Sequence, residues 1–278
     1  MTTGPLEGWH VLVTGGGSGI GRGCAARFLA DGATVTLMGR DEARLAAARE
    51  ALGGDADRVR LAAGDVAVEA DVERAVAVAS DDGARLDVAL ACAGTGTLAP
   101  VVSQTEAEFD RVLRTNLNGT LHTFKHAGRA IGRSGGGALC AVSSIAGART
   151  HRCGGAYGAS KAAIDMLVQT MADEMGPLAV RVNSVLPGLV ETDLSRGLQD
   201  DDAMLGDYLD CMPVRRTGRV EDVAAAVRFL CGPEASWITG VLLNVDGGQH
   251  LRRGPLWDDL FTRGFGDYLA EARPVAGD

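Results

Sequence analysis

Short apolar runs alternate with longer segments of helical spacing along most of this chain. Residues 11–14 read as a strand that runs into a Gly-rich turn, and residues 20–30 as a helix. Residues 35–38 read as a strand, and the Ala-rich stretch 41–52 as a helix with Asp41 at its N-cap. Further strands are predicted at 59–62, 86–91, 138–143, 180–185 and 241–245. Helices are predicted at 106–131, 157–175 and 220–230. Strands repeated with helices between them imply βαβ units and one parallel sheet. There is no repeat period and no low-complexity linker, so residues 1–250 read as one domain and 251–278 as an appended extension. Residues 200–213 mix charged and apolar positions and are expected to form a mobile helical insertion.

Composition narrows the class. Gly accounts for 39 of 278 residues, roughly twice average usage of ~7%. That level without a collagen period points to tight turns and close backbone approaches. Aromatic residues are only 4%, so the core must be built from Ala, Val and Leu. The formal charge of −9, with no clustered basic face, excludes a nucleic-acid footprint. No apolar run approaches a membrane span, and the first ten residues lack the pattern of a signal peptide. The six Cys lie scattered, with no CxxC pair and no His at zinc spacing. They read as reduced, mostly buried thiols of a cytoplasmic protein, and no metal site is expected.

The first strand runs into Thr14-Gly15-Gly16-Gly17-Ser18-Gly19-Ile20-Gly21, where the first helix begins. Backbone must pass close to a pyrophosphate there, which excludes side chains, and the N–H groups at the helix start then hold the anion. The spacing is GxxxGxG rather than GxGxxG, and a simple tight turn would also use these glycines. Position in the first βα unit favours a dinucleotide. An acid about 20 residues on would bind the ribose hydroxyl of NAD, and an Arg the 2′-phosphate of NADP. Gly39 and Arg40 occupy that place, with Asp41 better explained as a cap. NADP(H) is therefore favoured, and NAD(H) stays open.

Tyr157-Gly158-Ala159-Ser160-Lys161 opens a predicted helix, and the four-residue spacing sets Tyr157 and Lys161 on one face. A Lys ammonium one turn from a Tyr favours the phenolate, which suits proton exchange with an alcohol. Tyr and Lys four apart are common on exposed helices, so the pair gains weight only in combination. Over residues 8–248 the chain resembles the short-chain dehydrogenase/reductase family. The matches fall in order: the turn 14–21, Asp65-Val66, Ala93-Gly94, Asn116, Ser143-Ser144, Tyr157 with Lys161, Pro187-Gly188 and Thr192.

The resemblance implies a Rossmann-type doubly wound α/β fold with a parallel seven-stranded sheet. It also implies an oxidoreductase that interconverts a secondary alcohol and a ketone by hydride transfer. Tyr157 would be the general acid/base, and Ser144, at better family spacing than Ser143, would bond the substrate oxygen. Lys161 would bind the nicotinamide ribose and assist Tyr157, and Asn116 would hold a water of the proton relay. Gly15, Gly17, Ser18, Gly19, Ile20 and Gly21 would cradle the pyrophosphate. Asp65 and Val66 would contact the adenine, with Ala93 and Gly94 close to the cofactor. Pro187, Gly188, Val190 and Thr192 would position the carboxamide. The family also implies a homo-oligomer, a tetramer, paired through the long helices. One departure is visible: the family's Asn-Asn-Ala-Gly is here Ala91-Cys92-Ala93-Gly94, so cross-sheet bonds from two amides are absent or replaced.

The alternative is a non-catalytic or regulatory dinucleotide-binding protein on the same fold, against which stands the intact set of Asn116, Ser144, Tyr157 and Lys161. A double-bond reductase fits less well, because Tyr157 and Ser144 suit a carbonyl oxygen. His151 and Cys153 either line the pocket or pack within their loop. Leu189, Leu194, Leu198, Met204, Leu205, Tyr208, Leu209 and Met212 could form an apolar face over the pocket, or pack on the protein itself. The first arrangement implies an apolar substrate such as a 3-oxoacyl thioester or a steroid. In the extension, Trp257, Leu260, Phe261 and Phe265 fall near one helical face, which suggests docking at an oligomer interface or over the active-site mouth.

Overall fold

The computed structural model describes residues 4–252 and 263–264. The expectations for Trp257, Leu260, Phe261 and Phe265 therefore lie outside the described residues. Seven strands pair in the order β3-β2-β1-β4-β5-β6-β7, all parallel. They are β1 (His10–Thr14), β2 (Thr34–Gly39), β3 (Val59–Ala63), β4 (Val88–Ala91), β5 (Gly137–Val142), β6 (Val180–Pro187) and β7 (Leu242–Val245). The chain leaves β1 outward toward β2 and β3, then returns to lay β4 on the other side of β1. That reversal opens a crevice beyond the carboxyl ends of β1 and β4, where ligands of such sheets bind.

Strand side chains alternate between two faces, and here both faces are covered. Val11, Val13, Val35 and Leu37 pack with Phe28 of α1 (Gly19–Ala30) and Val223 and Val227 of α9 (Val220–Cys231). Leu12, Met38 and Ala89 face the other way, toward α3 (Glu69–Ala79), α5 (Gly119–Arg133) and α6 (Gly155–Met175). Phe28 and Phe124 are fully buried anchors of the two layers, each contributing about 1.5–3 kcal/mol by burial. Asp41 caps α2 (Glu42–Ala51), its Oδ1 accepting from the Arg44 N–H at 3.0 Å, as its sequence context predicts.

Two segments differ from the periodicity. Residues 106–131 are not one α-helix: α4 (Glu106–Leu113) passes through a π-helical turn, Arg114–Asn118, into α5. Thr120 and Thr123 donate to the Asn116 and Gly119 carbonyls at 2.7 Å, local bonds that compete for helix acceptors around the wide turn. Residues 200–213 are helical as expected, but only from α8 (Asp202–Cys211), preceded by the short α7 (Arg196–Gln199). Asp201 starts α8 by accepting from the Ala203 and Met204 N–H groups.

Candidate active site

The crevice at the sheet's carboxyl edge is a cavity of about 720 Å³, within the usual range for small-molecule sites. Gly15, Ser18, Gly19, Ile20 and Gly21 line it from β1 and α1. Gly15 has φ +68°, and a Cβ there would lie 2.9 Å from the Ala93 backbone. The first-turn N–H groups of α1 have no intrahelical partner, and the Ser18 side chain does not cap them. These features fit a pyrophosphate. Gly17 does not reach the cavity; it faces the Arg44 and Leu45 side chains.

Cys92, Ala93 and Gly94 line the next wall, after β4. Thr14 ties this wall to β1: its Oγ1 accepts from the Cys92 and Ala93 N–H groups at 3.1 and 3.3 Å. Asn116 is fully buried and outside the cavity. Its Oδ1 accepts from the Thr95 N–H at 2.8 Å, and its Nδ2 donates to the Thr95 carbonyl and to Ser160 Oγ at 2.9 and 3.0 Å. Ser160 in turn donates to the Tyr157 carbonyl at 2.7 Å. The π-helical turn thus ties the loop after β4 to the first turn of α6.

Tyr157 and Lys161 both line the cavity from α6, with Lys161 Nζ 5.5 Å from the centre of the Tyr157 ring. Nζ donates to the Val142 carbonyl at 2.8 Å, which fixes the ammonium below the end of β5. Ser143 turns its hydroxyl onto the Lys161 carbonyl at 3.2 Å. Ser144 Oγ accepts only from the Ala146 N–H at 3.1 Å, leaving its hydrogen without a protein acceptor among the described residues. One helical turn beyond Lys161, burial pushes the Asp165 carboxyl above the ordinary carboxylate range, although Ser143, Lys161 and Ser184 oppose the shift.

Pro187 at the end of β6 and Gly188, Leu189, Val190 and Thr192 after it form the remaining wall. Arg40 and Asp65, 3.9 Å apart, lie outside this cavity and line a second one of about 330 Å³. Val66 is buried in neither cavity and packs over Gly119. The apolar face of the α7–α8 region takes both predicted arrangements at once. Leu189, Met204, Tyr208 and Met212 form a cluster with Cys153, while Leu189, Leu194, Leu198, Met204 and Tyr208 also line the cavity. His151 lines it too, and burial holds its imidazole below the usual pKa range. Leu98, Ile145 and Gln249 are cavity residues that no spacing in the sequence marks.

A family model described as enoyl-(acyl carrier protein) reductase matches residues 15–250. Galactitol 2-dehydrogenase (L-tagatose-forming) of Cereibacter sphaeroides is 34% identical over 245 residues, covering 87% of this chain and 95% of that protein. A short-chain type dehydrogenase/reductase structure from Mycobacterium ulcerans is 41% identical with a TM-score of 0.91, covering 94% of this chain and 97% of that one. A 7α-hydroxysteroid dehydrogenase, solved with NADH and 7-oxo glycochenodeoxycholic acid, is 28% identical with a TM-score of 0.83, covering 87% and 94%. The chain belongs to the short-chain dehydrogenase/reductase family. It is an NAD(P)-dependent oxidoreductase acting on CH–OH groups.

Proposed function

We propose that this protein interconverts a ketone and a secondary alcohol with Tyr157 as general acid/base. The observation that carries this reading is the meeting of Tyr157, Lys161 and Ser144 in one cavity beside the Gly-lined start of α1. A bound nicotinamide dinucleotide supplies or takes the hydride. In the reducing direction the Tyr157 hydroxyl gives its proton to the forming alkoxide, and the reverse direction returns it. The Ser144 hydroxyl donates to the same oxygen and orients the carbonyl. Lys161 holds the ribose, and Asn116, through Ser160, holds the backbone of Tyr157 in place and supports a relay water. Gly15, Gly19, Ile20 and Gly21 take the pyrophosphate, and Val190 and Thr192 the carboxamide. Two oxygen-directed hydroxyls favour a carbonyl over the carbon–carbon double bond of an enoyl substrate.

The cavity wall of Leu189, Leu194, Leu198 and Met204 supports a substrate with an apolar body, such as a 3-oxoacyl thioester or a steroid. Arg40, with Gly39 beside it, supports NADP(H) over NAD(H). Exposed Phe109, Leu121 and Met166 on α4, α5 and α6 support self-association as a homotetramer. Six free cysteines fit a cytoplasmic location, and among the described residues no helix is long and apolar enough to cross a membrane. Mixing the enzyme with NADPH and a panel of cyclic ketones and 3-oxoacyl thioesters, and following nicotinamide absorbance, tests the chemistry. Loss of absorbance with at least one ketone is expected; silence across the panel would refute it.

A further inference from the structure

One polar side chain of the cavity has no part in the chemistry at Tyr157. Gln249 lines the cavity and is only 2% exposed, yet among the described residues neither its Oε1 nor its Nε2 has a hydrogen-bond partner. Buried amides are nearly always paired, so an orphaned one calls for an explanation. Its placement is held firmly. Asp246 Oδ1 accepts from the Gly248 N–H at 3.0 Å, and Oδ2 from the His250 N–H at 2.8 Å. The Gln249 N–H itself donates to the Asp246 carbonyl at 3.0 Å. Gly188 opposite leaves room for the amide: a Cβ there would come within 2.9 Å of Gln249 Oε1.

The surroundings select the partner. A primary amide offers both a donor and an acceptor. A neutral hydroxyl can satisfy both, donating to Oε1 and accepting from Nε2. A carboxylate would engage only Nε2 and an ammonium only Oε1, so either would leave half of the amide unpaired. On the reading of the site given above, we infer that Gln249 is a specificity-determining residue that binds a second hydroxyl of the substrate, remote from the reacting carbon. The substrate class is then hydroxyketones and the matching diols with an apolar frame.

The test uses trans-decalone and a set of decalones carrying one hydroxyl at successive ring positions, reduced with NADPH by the wild-type enzyme and by Gln249→Met. The wild type should favour at least one hydroxydecalone over the parent by about tenfold or more in kcat/KM, because a site built to pair a hydroxyl rejects its deoxy analogue. In Gln249→Met that ratio should fall to about one while the NADPH Kd is unchanged. The Tm should hold or rise, since an orphaned amide has been replaced by an apolar chain of similar size. Should the Met variant not fold, Gln249→Asn keeps the amide, shortens its reach and should lose the same ratio. Equal turnover of all decalones by the wild type overturns the inference and leaves carbonyl reduction standing. Persistence of the ratio in the variants, or a loss that appears in NADPH affinity, also overturns it. Turnover of none of these ketones, parent included, contradicts the carbonyl chemistry itself.

Discussion

Lys161 Nζ sits between the Tyr157 ring, 5.5 Å from its centre, and the Val142 carbonyl, to which it donates at 2.8 Å. The four-residue spacing on α6 brings the two side chains to one face, and the end of β5 fixes the ammonium beneath the ring. Helix, strand end and cavity meet at this pair. A lysine only 5% exposed is costly unless its charge has partners, so its placement marks function rather than surface solvation.

Thr14 gives a stability prediction. Its hydroxyl bridges β1 to the Cys92 and Ala93 N–H groups at the end of β4. Thr14→Val keeps the shape and leaves both donors unpaired, so it should cost about 1–3 kcal/mol, whereas Thr14→Ser should keep most of the stability. Urea unfolding followed by circular dichroism measures this. A Thr14→Val midpoint equal to wild type would show that the bridge carries no weight.

Arg40 should separate the two cofactors. Its side chain is 75% exposed and its nearest acid, Asp65, is 3.9 Å away, so the guanidinium can turn to a 2′-phosphate. Arg40→Ser should weaken NADPH binding by roughly tenfold, the order of one charge-assisted bond, and leave NADH binding nearly unchanged. Fluorescence titration with both cofactors checks it; equal losses for the two would remove Arg40 from cofactor choice.

Cys92 borders the cavity, yet burial pushes its thiol up to about 12, outweighing the opposing pull of Lys161. Burial disfavours the thiolate, so the reactive form is scarce at pH 8 and grows about tenfold per pH unit below the pKa. Iodoacetamide at pH 8 should leave Cys92 unlabelled and activity intact over a period that alkylates an exposed thiol. Rapid labelling of Cys92, read by peptide mass spectrometry, would show that its thiol is not desolvated.

The seven strands were legible because each is a short, mostly apolar run between helical segments, and the Tyr157–Lys161 pair because helix geometry is regular. Asp41 was legible as a cap for the same local reason. The wide turn at Arg114–Asn118 was not, since a single π-helical turn within a long helical segment carries no residue signature of its own. Thr14 was hidden because its partners, Cys92 and Ala93, lie far along the chain and are met only when β1 and β4 pair. Gln249 was hidden because a single Gln after a Gly-Gly turn carries no spacing signal; only burial without a partner distinguishes it. The double use of Met204 and Tyr208, in a packed cluster and along the cavity, depends on how α8 folds back on Cys153.

The role of Tyr157 is tested most directly by Tyr157→Phe, with kcat measured on any ketone the wild type reduces and NADPH affinity measured by fluorescence in the same preparation. The ring and its packing stay, and only the hydroxyl goes. The account predicts a fall in kcat of ~10²–10⁴-fold, the scale of general acid–base catalysis, with NADPH still bound. Near-normal turnover in that variant would contradict it.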